Sequence, residues 1–204
     1  MNSTVDIPGM QQMDAETFDV IVIGAGLSGV GTAVRLQRDC PDRDFILLER
    51  REAIGGTWDL FRYPGIRSDS DMHTLGYDFK PWEAEKAIAD GPSILSYVNE
   101  TADEYRIRER IRFSQKLIAA DWSSERSQWQ LTVETPDGIR RYRCGFLMMC
   151  AGYYSYDQGY EPEFEGKASF SGEWVHPQFW PENLDHTDKT AVSYTHLRAH
   201  ETTL

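Results

Sequence analysis

Phe18-Asp-Val-Ile-Val-Ile-Gly24-Ala-Gly26-Leu-Ser-Gly29 decides the fold of this chain. Residues 18–23 are a short run rich in β-branched side chains, as expected of a strand buried on both faces of a parallel sheet. Three glycines follow at once. Val30, Ala33, Val34 and Leu36 then supply the apolar positions of a helix that ends near Pro41. Residues 45–48 read as a second buried strand, closed by Glu49. Strand, glycine turn, helix and strand make a βαβ unit. The expected fold class is α/β, a Rossmann-like dinucleotide-binding domain. Gly24 permits the tight turn, Gly26 lets backbone approach a pyrophosphate, and Gly29 lets the helix pack on the strand. The helix N-terminus offers free N–H groups and the positive end of a dipole to phosphates. Glu49 is placed to hydrogen-bond ribose hydroxyls; its bland alternative is a solvated acid beside a Gly-rich turn. Such an acid suits the adenosine ribose of FAD or of NAD alike.

Downstream, residues 50–92 carry little periodicity and read as an ordered functional loop. Pro92 suits the first residue of a helix expected to run to about Arg108, burying Ile94, Leu95, Val98, Ala102 and Tyr105. Residues 116–122, 129–134 and 140–150 read as strands, with a turn at Pro136-Asp137-Gly138. Together they make a small antiparallel meander. Residues 146–150 are continuously apolar, so this strand is expected to return to the parallel sheet. Residues 153–191 read as a linker wrapped over a surface.

Length and charge bound the function. The 204 residues suffice for one globular domain and are short for two. A formal net charge of −12 and the lack of a basic patch argue against a nucleic-acid partner. Cys40, Cys144 and Cys150 follow no metal spacing and no disulfide framework, so no metal is expected and a reducing compartment, the cytoplasm, is. No stretch is long and apolar enough to span a bilayer as a helix. Residues 1–17 read as a polar, disordered leader.

Two further motifs are more specific. Gly55-Gly56-Thr57-Trp58 and Tyr63-Pro64-Gly65-Ile66-Arg67-Ser68-Asp69 together have the form G-G-x-W-x-x-x-x-Y-P-G-x-x-x-D. Phe170-Ser-Gly172-Glu-Trp-Val-His176-Pro-Gln-Phe-Trp180-Pro181 has the form F-x-G-x-x-x-H-x-x-x-W-P. On chemistry alone, Trp58 and Tyr63 are flat walls suited to a flavin ring or are ordinary core aromatics. Asp69 is a site carboxylate, a solvated loop acid or a helix N-cap. His176 could serve as a general base, because histidine titrates near neutral pH. His73 has no partner visible in the sequence.

These motifs resemble the signatures of Baeyer–Villiger monooxygenases, within the class B flavoprotein monooxygenases. Residues 55–82 resemble the bacterial ethionamide-monooxygenase branch in particular. The resemblance covers residues 18–191. It implies an incomplete FAD-binding domain of a two-dinucleotide-binding flavoprotein over residues 18–152, and a linker with the fingerprint over 153–191, a fragment expected to be inactive alone. FAD and NADPH are the implied cofactors. The implied activity is insertion of oxygen from O₂ into a ketone to give an ester or lactone, through a C4a-peroxyflavin. A sulfur or nitrogen oxygenase acting on thioethers, or a non-catalytic FAD-binding module, are the alternatives. The resemblance places Gly56, Thr57, Trp58, Leu117, Ala151 and Gly152 beside FAD, with Asp69 near the flavin. It gives His176 a conformational role in coupling domain motion to catalysis, with Phe170, Gly172 and Trp180 pinning the link.

The C-terminal run, residues 192–204, is expected to be an adapter artefact, since residues 192–202 read as a translation of a transposase library adapter. The natural sequence is therefore expected to leave off near Ala191, the chain to be an N-terminal fragment, and Lys189-Thr-Ala to start another buried strand.

Overall fold

The computed structural model describes residues 15–193 and 200–203. Most of the expected leader, residues 1–14, and residues 194–199 and 204 of the adapter-like run lie outside them.

Strand β1 (Glu16–Ile23) is flanked by β2 (Phe45–Leu48) on one side and the long β6 (Gly138–Met149) on the other, both parallel to it. With β3 (Ile111–Arg112), β4 (Lys116–Ser123) and β5 (Gln128–Thr135) they form one sheet in the order β3-β2-β1-β6-β5-β4. The first half of β6 pairs antiparallel with β5, and its second half runs parallel to β1. One strand thus joins the expected meander to the expected parallel sheet. Phe146 and Met149, on the parallel half, are 70% and 60% exposed.

The continuous apolar runs are explained by two cores. Val20, Val22, Phe45 and Leu47 face helices α1 (Leu27–Asp39) and α4 (Gly91–Glu104). Ile21, Ile23, Ile46 and Leu48 face the opposite way, onto Leu131, Val133, Tyr142 and Cys144. Each side chain removed from water contributes roughly 1.5–3 kcal/mol, which fixes β1 between the layers. In α1, Val30, Ala33 and Val34 are fully buried, as their spacing predicts.

Three local details differ from the sequence expectation. Helix α4 ends at Glu104 rather than near Arg108, because Arg106 takes the left-handed conformation, φ 55°, and a 3-10 turn (Ile107–Arg110) follows. That turn buries Ile107 and feeds β3, which two residues of sequence do not announce. The helix starts at an N-cap, Asp90, whose side chain accepts from the Ser93 N–H at 2.9 Å. Finally, Thr190–Ser193 does form a strand, β7, but Thr190, Ala191 and Val192 are exposed, and it pairs antiparallel with β8 (His200–Thr203).

The segment after β2 holds two short helical turns, α2 (Thr57–Leu60) and α3 (Met72–Leu75). Tyr77 pins it to α1: its hydroxyl donates to the Leu27 carbonyl at 2.6 Å, and its ring lies on Gly31, where a Cβ would come within 2.7 Å of it. Tyr77 also stacks between Phe79 and Tyr97. The segment is ordered by these aromatic contacts together with backbone hydrogen bonds, such as Ser68 N–H to the Ala89 carbonyl at 2.9 Å and Met72 N–H to the Ala87 carbonyl at 2.7 Å.

Candidate cofactor and active site

The three glycines of the first motif are not equivalent. Gly24 has φ 102°, and a Cβ there would lie 2.5 Å from the Cys150 carbonyl oxygen. At Gly29 a Cβ would lie 1.9 Å from the Gly24 oxygen. Both are required by the fold itself. Gly26 is different: its φ is −79°, open to any residue, and a Cβ would meet only Gly56, at an ordinary 3.5 Å. Neither backbone strain nor internal packing demands glycine at 26.

Gly26 faces the second glycine pair. The Gly55 N–H donates to the Ala25 carbonyl at 3.1 Å, and Gly55 and Gly56 have φ 127° and 55°. Two glycine turns thus meet at the N-terminus of α1, whose first turn no side chain caps. Glu49, 5% exposed, accepts from the Ala25 N–H at 2.7 Å through Oε2 and from the Arg51 N–H at 2.9 Å through Oε1. It sets the turn, and each carboxylate oxygen keeps a lone pair for a ribose hydroxyl. Thr57 opens α2, and Trp58 is half-buried against the core between α1 and α4. Leu117, half-buried on β4, packs against the second core. Ala151 and Gly152 follow β6 at the surface, Gly152 with φ 70°. They stand across from Gly24, since the Cys150 carbonyl before them is what a Gly24 side chain would strike.

At the other end, Phe61 lies edge-on to Tyr63 and to Tyr154, with centroids 6.2 and 4.9 Å apart. Burial raises the Tyr63 hydroxyl above its usual range. Burial, then the neighbouring Tyr153 hydroxyl, pushes Tyr154 up to about 12, and the Asp69 charge acts in the same direction. Asp69 is therefore an exposed carboxylate beside this aromatic group. The helix-capping role falls to Asp71, which accepts from the Thr74 N–H at 2.9 Å. His73 is exposed on α3.

His176 Nδ1 accepts from the Gln178 N–H at 3.2 Å, capping a 3-10 turn (Pro177–Phe179). Its ring lies on Gly159, where a Cβ would come within 2.3 Å of it. Trp180 and Gln178, with Glu182, Leu184 and His186, face Leu60, Arg62 and Pro64 across a cavity of about 330 Å³. Phe170 folds onto Gly172, which has no room for a side chain beside its ring. The structure thus brings Gln178 and Trp180 of the fingerprint to the loop after α2.

Several residues near the site were not singled out by sequence reasoning. Asp59, 6% exposed, pairs with Arg51 at 2.6 Å and with Arg62 at 3.0 Å. Tyr154, Tyr156 and Asp157 lie on the strap after β6. Their sequence signal was available: four tyrosines between 153 and 160 are dense for a plain linker. Among the described residues no group of three or more His, Cys, Asp and Glu could hold a metal, and no helix is long and apolar enough to cross a membrane.

Fold and site define a Rossmann-type dinucleotide-binding unit, and residues 22–84 match the profile of the NAD(P)-binding Rossmann-like domain. The chain's homologues are FAD-containing monooxygenases and its structural neighbours are Baeyer–Villiger monooxygenases. The FAD-containing monooxygenase EthA of Mycolicibacterium smegmatis is 54% identical over 177 residues, 87% of this chain and 36% of that protein. The probable FAD-binding monooxygenase AlmA of Acinetobacter baylyi is 47% identical over 176 residues, 86% of this chain and 35% of that protein. An oxidised steroid monooxygenase bound to NADP superposes with TM-score 0.69 and 31% identity, covering 84% of this chain and 33% of that one. An open cyclohexanone monooxygenase gives TM-score 0.71 and 26% identity, covering 84% and 33%. The chain spans about a third of the length of the relatives it matches.

Proposed function

We propose that this chain carries the FAD-binding part of a flavin- and NADPH-dependent monooxygenase that oxygenates ketones to esters or lactones. Gly26 carries the reading: a glycine that the fold does not need, facing a second glycine at the head of a helix, is explained by a ligand whose backbone contact leaves no room for a side chain. A pyrophosphate fits that cradle, with Glu49 for the adenosine ribose. The aromatic group of Phe61, Tyr63 and Tyr154 and the Asp69 carboxylate fit a flavin ring. FAD, when bound, takes two electrons from NADPH and activates O₂. The chain's own residues would hold and orient it, and the fingerprint turn carrying Gln178 and Trp180 faces the loop after α2 across a cavity. His176 acts by shaping that turn, not by moving a proton.

The ketone preference is supported by the fingerprint and by similar structures described as cyclohexanone monooxygenase, one of them bound to ε-caprolactone. We place the protein in the cytoplasm, in keeping with Cys40, Cys144 and Cys150 all being free thiols. The test is flavin binding by the purified 204-residue chain, read by quenching of flavin fluorescence. Wild type should bind FAD, and Gly26→Val should lose it while keeping its circular dichroism. Equal FAD binding by both proteins would overturn the reading.

A further inference from the structure

In the strap of residues 153–157, after β6, Tyr154, Tyr156 and Asp157 point to three different places. Tyr154 reaches the aromatic group at Phe61. Tyr156 turns the other way, toward the paired glycines. Its ring lies under two guanidiniums, Arg50 at 5.4 Å and Arg51 at 5.7 Å from the centroid. Its hydroxyl ends 3.7 Å from the point a Gly56 Cβ would occupy. Asp157 pairs with Arg50 and with Lys116, the latter at 3.3 Å, so the strap is tied to the end of β2 and the start of β4. Ser155, between them, is held from outside: its carbonyl accepts from Gln178 Nε2 at 2.7 Å, and Gln178 is 7% exposed.

We infer that Tyr156 is a binding residue for the adenosine-diphosphate half of the dinucleotide, carried on a strap that Gln178 latches shut. The inference rests on the dinucleotide reading above. A hydroxyl aimed at the glycine pair is positioned to donate to a phosphate oxygen approaching Gly26. The ring is fixed from behind by Arg50 and Arg51, so little freedom is lost on binding. Arg50 and Lys116 are paired with Asp157 and Arg51 with Asp59, so the cations behind the ring are held in fixed positions by carboxylates. The latch connects the fingerprint turn to the adenosine end of the site, about which the fingerprint itself says nothing.

The test uses the 204-residue chain with FAD and ADP as probes, both measured by titration. Tyr156→Ala should weaken FAD and ADP by the same factor, on the order of tenfold to a hundredfold for a lost hydrogen bond to a charged group. Tyr156→Phe should lose part of that factor for both probes. Gln178→Ala should release FAD severalfold faster. FAD weakened with ADP unchanged would place Tyr156 at the flavin end and overturn the inference; so would unchanged affinity for both. Should Tyr156→Ala fail to fold, Tyr156→Phe decides, and unaltered ADP affinity there overturns the hydroxyl contact. Unchanged FAD release from Gln178→Ala overturns the latch. A wild-type chain that binds neither probe overturns the dinucleotide reading itself, and the inference with it.

Discussion

The two ends of this chain hold their shape by opposite means. From β1 to β2 the strands and the inner face of α1 are buried, and glycine positions such as Gly24 and Gly29 are demanded by neighbouring backbone atoms. From residue 153 onward most side chains are exposed, and the path is set by a few specific contacts: Gln178 on Ser155, His176 on Gly159, and Lys167 on Glu161 and over Trp174 at 4.8 Å. The first region is stabilised by volume and periodicity, the second by particular atoms. Substitutions should therefore act globally in one and locally in the other.

The largest effect should come from Gly29→Val. A Cβ 1.9 Å from the Gly24 oxygen cannot be accommodated without pulling α1 off β1. The expected cost is above about 4 kcal/mol, among the exceptional single substitutions, and urea unfolding measures it. Leu47→Ala comes next, at about 2–5 kcal/mol for a fully buried leucine between the two layers. The matching change in the linker, Phe170→Ala, should stay within about 0.5 kcal/mol, because Phe170 is 58% exposed. Similar losses at Leu47 and Phe170 would break the contrast between the two regions.

The same contrast governs what could be read without coordinates. The βαβ unit was legible to within two residues because strand burial and helix spacing are periodic signals. The ends of β2, Phe45 and Leu48, fell where the apolar run ends. The break at Arg106 was not legible, since nothing in its residue type announces a left-handed conformation. Nor was β3, whose two residues are held by pairing with β2 rather than by propensity. In the site, Glu49 stood out because its element and position are chemically constrained. Tyr156, Asp157 and Gln178 did not, because they act through contacts between segments 23 to 107 residues apart in sequence.

A smaller and more local effect is expected at Glu49. Glu49→Ala removes the acceptor for the Ala25 and Arg51 N–H groups, the former buried. Affinity for FAD should fall by about 1–3 kcal/mol, the range for a buried group left without its partner. Fluorescence titration against Gly26→Val separates the two, since Glu49→Ala should still bind at high FAD concentration. Complete loss in Glu49→Ala would mean that the glycine turn itself had collapsed.

The gentlest probe is pH, and it should reach the two regions from opposite sides. In the sheet, burial pushes the Cys144 thiol up to about 11. An unfolded thiol titrates near 8.5, so between about 8.5 and 11 the unfolded chain has released a proton that the folded chain still holds. Stability from this group is complete below the lower value and falls as pH rises through the window. Cys144→Ala should lower the overall stability but flatten that alkaline slope, read as melting temperature against pH. In the strap, hydrogen bonds from Arg50 and then Lys116 hold the Asp157 carboxyl below its usual range. The sign is reversed here: the contribution is complete above the ordinary carboxylate value, about 3.9, and is lost only as pH falls through the lowered one. The pair is exposed to solvent, so its effect is small and screened by salt. Release of bound FAD should accordingly quicken below about pH 4 in wild type, and less so in Asp157→Asn, which lacks the titrating group. An acid-side change of equal size in both proteins would detach the strap from Asp157 and leave Gln178 as its main tie.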